Sequence, residues 1–215
     1  KRQGQYISVR AKLPDGAGQL RQYSLVDSGE KPGRLSFAVK ALEASESAPA
    51  GEVSNWLVDN AKVGTDLEVS VPFGDLVLNT ESNAPVVLIS AGIGATPMIG
   101  MLSRLSSVAS ERHVVIVHAD TNSGTDAFAT HREHLASALK NYELHVFYKE
   151  GASGKNVTIG HLDVSKFAFP NDAEFYLCGS TTFLQEAREG LKANNVKPSS
   201  VHFELFMPND WLLDE

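Results

Sequence analysis

The chain has a single cysteine, Cys178, in 215 residues. No internal disulfide is possible, which fits a reducing compartment and an expected cytoplasmic location. An iron–sulfur cluster within the chain is excluded too, because a cluster normally needs four thiolates. Positive charge is short: 19 Lys and Arg face 26 Asp and Glu, a net charge of −7. That balance argues against a nucleic-acid partner, whose phosphates require a basic face. An anionic ligand must be held locally, by backbone N–H groups, helix N-termini and a few arginines. No apolar run is long enough to span a bilayer. The opening KRQGQYISVR has no signal-peptide core. Internal repeats and low-complexity tracts are lacking as well.

What is present suits one large or two small globular domains: 42% hydrophobic and 21% charged residues. The first part reads as strands. QYISVRAKL alternates apolar and polar residues from Tyr6 to Leu13, and PDGAG (Pro14–Gly18) is turn chemistry. RQYSL (Arg21–Leu25), RLSFAVKAL (Arg34–Leu42) and DLEVSVPFG (Asp66–Gly74) read as further strands. One short helix interrupts them, NWLVDNA, capped by Ser54 with Trp56 and Leu57 inward. EASESAPAG (Glu43–Gly51) reads as a flexible loop. Short strands bounded by Gly and Pro predict a small antiparallel β-barrel. NTESNAP (Asn79–Pro85) breaks the pattern and marks a domain boundary. The division is residues 1–80, residues 84–206 and a tail of 207–215.

The second part alternates strand and helix. Strands are expected at Val86–Ser90, Val114–His118, Leu144–Tyr148, Phe175–Cys178 and Val201–Leu205. Helices are expected at Pro97–Leu105, Ala127–Leu139, Val164–Phe167 and Phe183–Ala193. This pattern predicts an α/β doubly wound parallel sheet covered on both faces. LISAGIGATPMIGML (Leu88–Leu102) is then the first strand-to-helix turn. It is neither the dinucleotide fingerprint nor the P-loop. Its Gly92 and Gly94 still allow close backbone approach, Pro97 suits a first helical turn, and a pyrophosphate is the natural guest. YLCGSTTF (Tyr176–Phe183) has the same form. In the strand order 3-2-1-4-5 the two turns face one crevice. Asp120, ending the second strand, is placed to bond a ribose 2′-OH and repel a 2′-phosphate, which favours a dinucleotide without that phosphate. HREH (His131–His134) lacks metal-ligand spacing and reads as a solvated helix face; the other histidines are scattered, and no metal site is expected.

Five elements, in order across nearly the whole chain, jointly resemble the ferredoxin–NADP reductase superfamily. They are RQYS (Arg21–Ser24), GEVSNWL (Gly51–Leu57), GIGATPM (Gly92–Met98), YLCGS (Tyr176–Ser180) and VHFELF (Val201–Phe206). GQYISV, RQYSL, GEVSNWL, VPFGDL and HFELFMP are similar to the reductase module of flavohaemoglobins, the nitric oxide dioxygenases. The resemblance implies FAD in the barrel and hydride transfer from NADH or NADPH. Electrons then pass to a haem, in a globin domain, or to another acceptor. A free flavin reductase, or an electron-transfer subunit of a multicomponent oxygenase, is the alternative. The resemblance also implies roles. Arg21 pairs with the FAD pyrophosphate, with Gln22 beside it. Tyr23 lies against the isoalloxazine, Ser24 bonds near its N5, and Tyr6 meets the ribityl or adenine side. Gly51, Val53 and Ser54 approach the pyrophosphate, and Phe206 covers the opposite flavin face. Glu204 sits near the flavin edge. Gly92, Ile93, Gly94, Ala95, Thr96, Pro97 and Gly179 form the nicotinamide-nucleotide loops, with Thr96 and Cys178 framing the reacting carbon. Relative to that family, a strand or two before GQYISV is missing, and Met207 replaces a glycine.

Overall fold

The structure is a computed structural model, describing residues 1–205 except 14, 15, 17, 28, 30, 31 and 45–48. Part of the EASESAPAG loop, Phe206 and the 207–215 tail therefore lie outside the described residues.

The first half is built on β1 (Tyr6–Lys12), paired antiparallel with β2 (Gly18–Ser24) and β3 (Glu68–Val69). Tyr6 lies opposite Ser24, and Lys12 opposite Gly18. The period of two sends Ile7, Val9 and Ala11 inward, each fully buried. They pack with Leu25, Val53 and Leu57. RLSFAVKAL forms no regular strand; it touches the sheet by one bridge, Leu25 to Phe37. Its alternation still works, since Leu35, Phe37 and Val39 pack on the same core. DLEVSVPFG is paired only through β3 and a bridge from Phe73 to Tyr6.

Helix α1 (Glu52–Asn60) begins earlier than expected, with Gly51 at the N-cap and no side-chain cap bond. Ser54 is therefore not the cap. It lies in the first turn, donates to Gly51 O (3.1 Å) and accepts from Leu42 N (3.2 Å). Its hydroxyl holds the preceding segment to the helix instead of satisfying a helical N–H.

The second half is a six-stranded parallel sheet. Its strands are β4 (Val86–Ala91), β5 (Val114–Asp120), β6 (Tyr142–Tyr148), β7 (Val157–Ile159), β8 (Glu174–Gly179) and β9 (Val201–Leu205). The order is β7-β6-β5-β4-β8-β9. This is the expected 3-2-1-4-5 arrangement with β7 added outside β6. Alternate residues of β4 face opposite layers. Val86 and Leu88 pack with Met101 and Leu102 of α2 (Ala95–Ser107) and Ala136 of α3 (Ala129–Ser137). Val87 and Ile89 pack with Leu184, Ala187 and Leu191 of α4 (Thr181–Ala193). The predicted helix at Val164–Phe167 is a single 3-10 turn, Val164–Lys166. His131 and His134 are exposed on α3, as a solvated face requires. No helix among the described residues is long and apolar enough to cross a membrane.

Contacts on two sides join the halves. Helix α2 lies against the chain just after β2: a side chain at Gly100 would sit 2.4 Å from Leu25 O, and Ser103 Oγ donates to Val26 O (3.2 Å). On the other side, the buried Arg112 donates to Ala84 O (2.6 Å) and Asn79 O (2.7 Å). Tyr176 OH accepts from Asn79 N (3.0 Å) and donates to Glu174 (2.8 Å).

Candidate functional site

Strand β4 ends at Ala91, and the chain turns through Gly92 at φ +53°, a left-handed conformation that disfavours any side chain. Gly92–Gly94 form one 3-10 turn that runs into α2. The first N–H groups of such a helix have no intrahelical partner and carry partial positive charge. A Cβ at Gly92 would meet nothing within 4 Å, so this backbone is open to a ligand. At Gly94 it would meet Cys178 O at 2.4 Å. The two turns are thus packed backbone against backbone, because β4 and β8 are adjacent. Ser180 caps α4 by accepting from Phe183 N, and Gly179 precedes it. Two helix starts therefore flank one crevice.

Thr96 is buried and donates to Ile93 O (3.0 Å), which folds its hydroxyl back on the turn. Ala95 and Pro97 are buried in the first turn of α2, while Ile93 is half-buried. Cys178 is fully buried opposite Glu204 of β9. Burial, reinforced by the Glu204 charge, pushes the thiol well above its usual range, so it is neutral. A Cβ at Gly74 would lie 3.8 Å from Glu204 Oε1 and 2.7 Å from the Tyr6 ring, which is itself 4.4 Å from Phe73. Tyr6, Gly74, Cys178 and Glu204 therefore meet across the domain junction.

Strand β2 delivers the remaining groups. Ser24 is buried, and its Oγ has no hydrogen-bond partner among the described residues. Tyr23 stacks on Phe37 at 5.4 Å; burial raises its phenol, against the lowering effect of Arg21. Arg21 and Gln22 are exposed. Arg21 bonds only Leu20 O (2.8 Å) and Gln19 Oε1 (2.9 Å), so its guanidinium has no carboxylate partner among the described residues. Val53 points into the core, leaving only its backbone at the start of α1 to face a ligand, next to Gly51. The orphaned Ser24 hydroxyl, the uncompensated Arg21 and the α1 start fit an aromatic, anionic cofactor such as FAD.

Asp120 ends β5, but its carboxylate turns inward. It accepts from Thr121 N (2.7 Å) and Thr125 Oγ1 (2.6 Å). Burial would raise its pKa, yet His118, Thr125 and the Thr121 N–H outweigh that and hold it at about 2. Sequence reasoning missed His118, Ser90 and Asp126, the buried neighbours of this carboxylate. Only their place at strand ends could have signalled them.

Profiles for an oxidoreductase FAD-binding domain and an oxidoreductase NAD-binding domain match residues 2–78 and 88–189. The FAD/NAD-binding domain of nitric oxide dioxygenase from Vibrio cholerae superposes with a TM-score of 0.86 at 32% identity, covering 97% of this chain and 86% of that one. The chain belongs to the family of flavohaemoglobin FAD/NAD-binding domains. Flavohaemoglobin from Malassezia yamatoensis, solved with FAD and haem, gives a TM-score of 0.80 at 30% identity over 96% of this chain and 52% of that one. The flavohemoprotein of Bordetella pertussis is 38% identical over 213 residues, which is 94% of this chain and 52% of that protein. The chain spans about half the length of the curated relatives it matches. It is an FAD- and NAD-binding oxidoreductase module, with the flavin on the antiparallel half and the nicotinamide nucleotide on the parallel sheet.

Proposed function

We propose that this module takes hydride from NADH and passes electrons singly to a haem acceptor, a globin domain in the manner of the flavohaemoglobins. One observation carries the reading: the unpartnered Ser24 hydroxyl lies across the strand from Tyr6, in the corner that Glu204 and Cys178 close from the nucleotide domain. When bound, FAD supplies the chemistry that turns a two-electron donor into one-electron steps. The protein's part is to bind and orient. Arg21 grips the diphosphate with a forked, charge-assisted pair, helped by Gln22 and the backbone of Gly51, Val53 and Ser54. Tyr23 and Ser24, with Phe206 from outside the described residues, would hold the isoalloxazine. The Gly92–Pro97 turn and helix start, with Gly179, would take the nucleotide phosphates, and Thr96 and Cys178 would bound the nicotinamide.

The coenzyme preference rests on a missing cation. From Ala119 to His131 there is no Lys or Arg, and Arg132 is turned onto Asp126. Nothing in that segment grips a 2′-phosphate. The domains are taken as residues 1–80 and 84–206. The test is an absorbance spectrum of the purified protein, then NADH and NADPH in turn under argon. Retained FAD, bleached by NADH and reoxidised by a ferric globin, supports the proposal. Flavin that washes away with activity restored by added flavin indicates a free flavin reductase. Tightly held flavin that neither nucleotide bleaches refutes hydride entry by this route.

A further inference from the structure

Behind the Gly92 turn, the carboxyl ends of β4, β5 and β6 enclose a buried polar cluster that flavin and nicotinamide chemistry does not use. Ser90 Oγ and His118 Nδ1 are 2.9 Å apart. His118 Nε2 is buried and has no hydrogen-bond partner among the described residues. It lies 3.6 Å from both Asp120 Oδ2 and Asp126 Oδ1, longer than a hydrogen bond. The His118, Asp120 and Asp126 side chains are 1%, 8% and 1% exposed. Each has further partners: His118 Nδ1 faces Ser90, Asp120 Oδ1 accepts from Thr121 N and Thr125, Asp126 Oδ1 accepts from Arg132 and Phe128 N, and Asp126 Oδ2 from Arg132 and from Tyr148 OH at 2.9 Å.

Two carboxylates face one guanidinium and one imidazole in a water-poor place, where a bound cation would add favourable charge. The three inner atoms, one nitrogen and two oxygens, all lie within 4.8 Å of one another. A tetrahedral ion with bonds of about 2.0–2.1 Å holds its ligand atoms roughly 3.3–3.4 Å apart. The two His118–carboxylate separations of 3.6 Å need only a small contraction to meet that, and the carboxylate–carboxylate separation, within 4.8 Å, a larger one. Outer partners fixing the ring orientation and the carboxylates are what metal ligands have in general. An imidazole among the donors selects the zinc class over magnesium or calcium, which take oxygen alone.

We propose that His118 Nε2, Asp120 Oδ2 and Asp126 Oδ1 bind a divalent transition-metal ion. The ion cross-links the end of β5 to the residues leading into α3, beside the nucleotide crevice. The test is equilibrium dialysis of the chelator-treated, flavin-containing protein against Zn²⁺, with Co²⁺ difference spectra to report coordination. Asp126 also anchors Arg132 and Tyr148, so the informative variants are His118→Ala and Asp120→Asn, with retained FAD showing that they are folded. The expected result is one tightly bound ion per chain, intense four-coordinate Co²⁺ bands, and at least tenfold weaker binding in both variants. No stoichiometric uptake overturns the proposal, as does uptake that both variants preserve. A His118 ring that NMR finds protonated on both nitrogens in the presence of Zn²⁺ overturns it too, since a proton then supplies the missing charge.

Discussion

Replacing Gly94 with alanine tests whether the crevice depends on two turns being in backbone contact. The added Cβ would sit 2.4 Å from Cys178 O, 2.7 Å from Cys178 C and 2.8 Å from Gly179 N. Carbon–oxygen contacts settle at about 3.3 Å or more, so something must recede by roughly 1 Å. The obstacle is backbone, and no side chain can rotate away. Cys178 is fixed in register with Ser90 on one side and Glu204 on the other. Forced overpacking costs about 1–3 kcal/mol. Expressed in the crevice, that lowers kcat/KM for NADH by roughly 5- to 150-fold. Gly92→Ala is the contrast. Its Cβ meets nothing, and only the φ of +53° counts against it, about 1–2 kcal/mol spent locally. The assay is anaerobic stopped-flow reduction by NADH, with FAD content measured in parallel. Flavin should be retained in Gly94→Ala, because β2 and α1 are untouched. Reduction within twofold of the parent would refute the close-contact argument. Loss of FAD together with NADH would show that the damage is not confined to the nucleotide side.

Other predictions are narrower. Ser24→Ala removes an unpartnered hydroxyl, so the stability of the flavin-free protein should stay within about 0.5 kcal/mol while NADH reduction of the holoprotein slows about tenfold; an equal loss in both states would mean the hydroxyl serves the fold. Arg21→Ala breaks no ion pair, so it should weaken FAD by about 2 kcal/mol without moving the melting temperature of the apoprotein, read by flavin titration. Thr121→Arg, at an exposed position after β5, should shift the NADH to NADPH ratio of kcat/KM at least tenfold toward NADPH, and an unchanged ratio would place the ribose elsewhere. Asp120 has a folded pKa near 2 against about 3.9 unfolded. Its depressed pKa gives stability that is present above pH 4 and lost as pH falls toward 2, up to roughly 2 kcal/mol. In chelator, the stability gap between the parent and Asp120→Asn should close over that window in urea titrations.

The parallel sheet was legible because buried runs of four apolar residues, Val86–Ile89, Val114–Val117 and Phe175–Cys178, and helices with an apolar face leave strong patterns. Strand β9 falls where its alternation puts it. Strand β7 was missed, since Val157–Ile159 is too short to show any period. RLSFAVKAL shows the opposite failure: its side chains obey a strand's alternation, but only one bridge forms, and pattern reports burial rather than ladder bonds. The two glycine turns were readable as a pair, because strand order follows from alternation. Which way a side chain turns was not. Asp120 stands where a ribose contact was expected, yet Thr121 and Thr125 draw its carboxylate inward. His118 looked like one scattered histidine among several until the ends of β4 and β5 put Ser90 beside it.

The stretch between the two family matches looks by composition like a place to cut. Arg112 makes it something else. By bonding the carbonyls at both ends, Asn79 and Ala84, it turns a polar, turn-rich segment into a pinned strap on the back of the sheet. A protease should nick the exposed loops of the flavin half first. Halves expressed separately with the break inside this strap would strand a buried guanidinium, so a split version that reassembles must carry the strap whole on the nucleotide fragment.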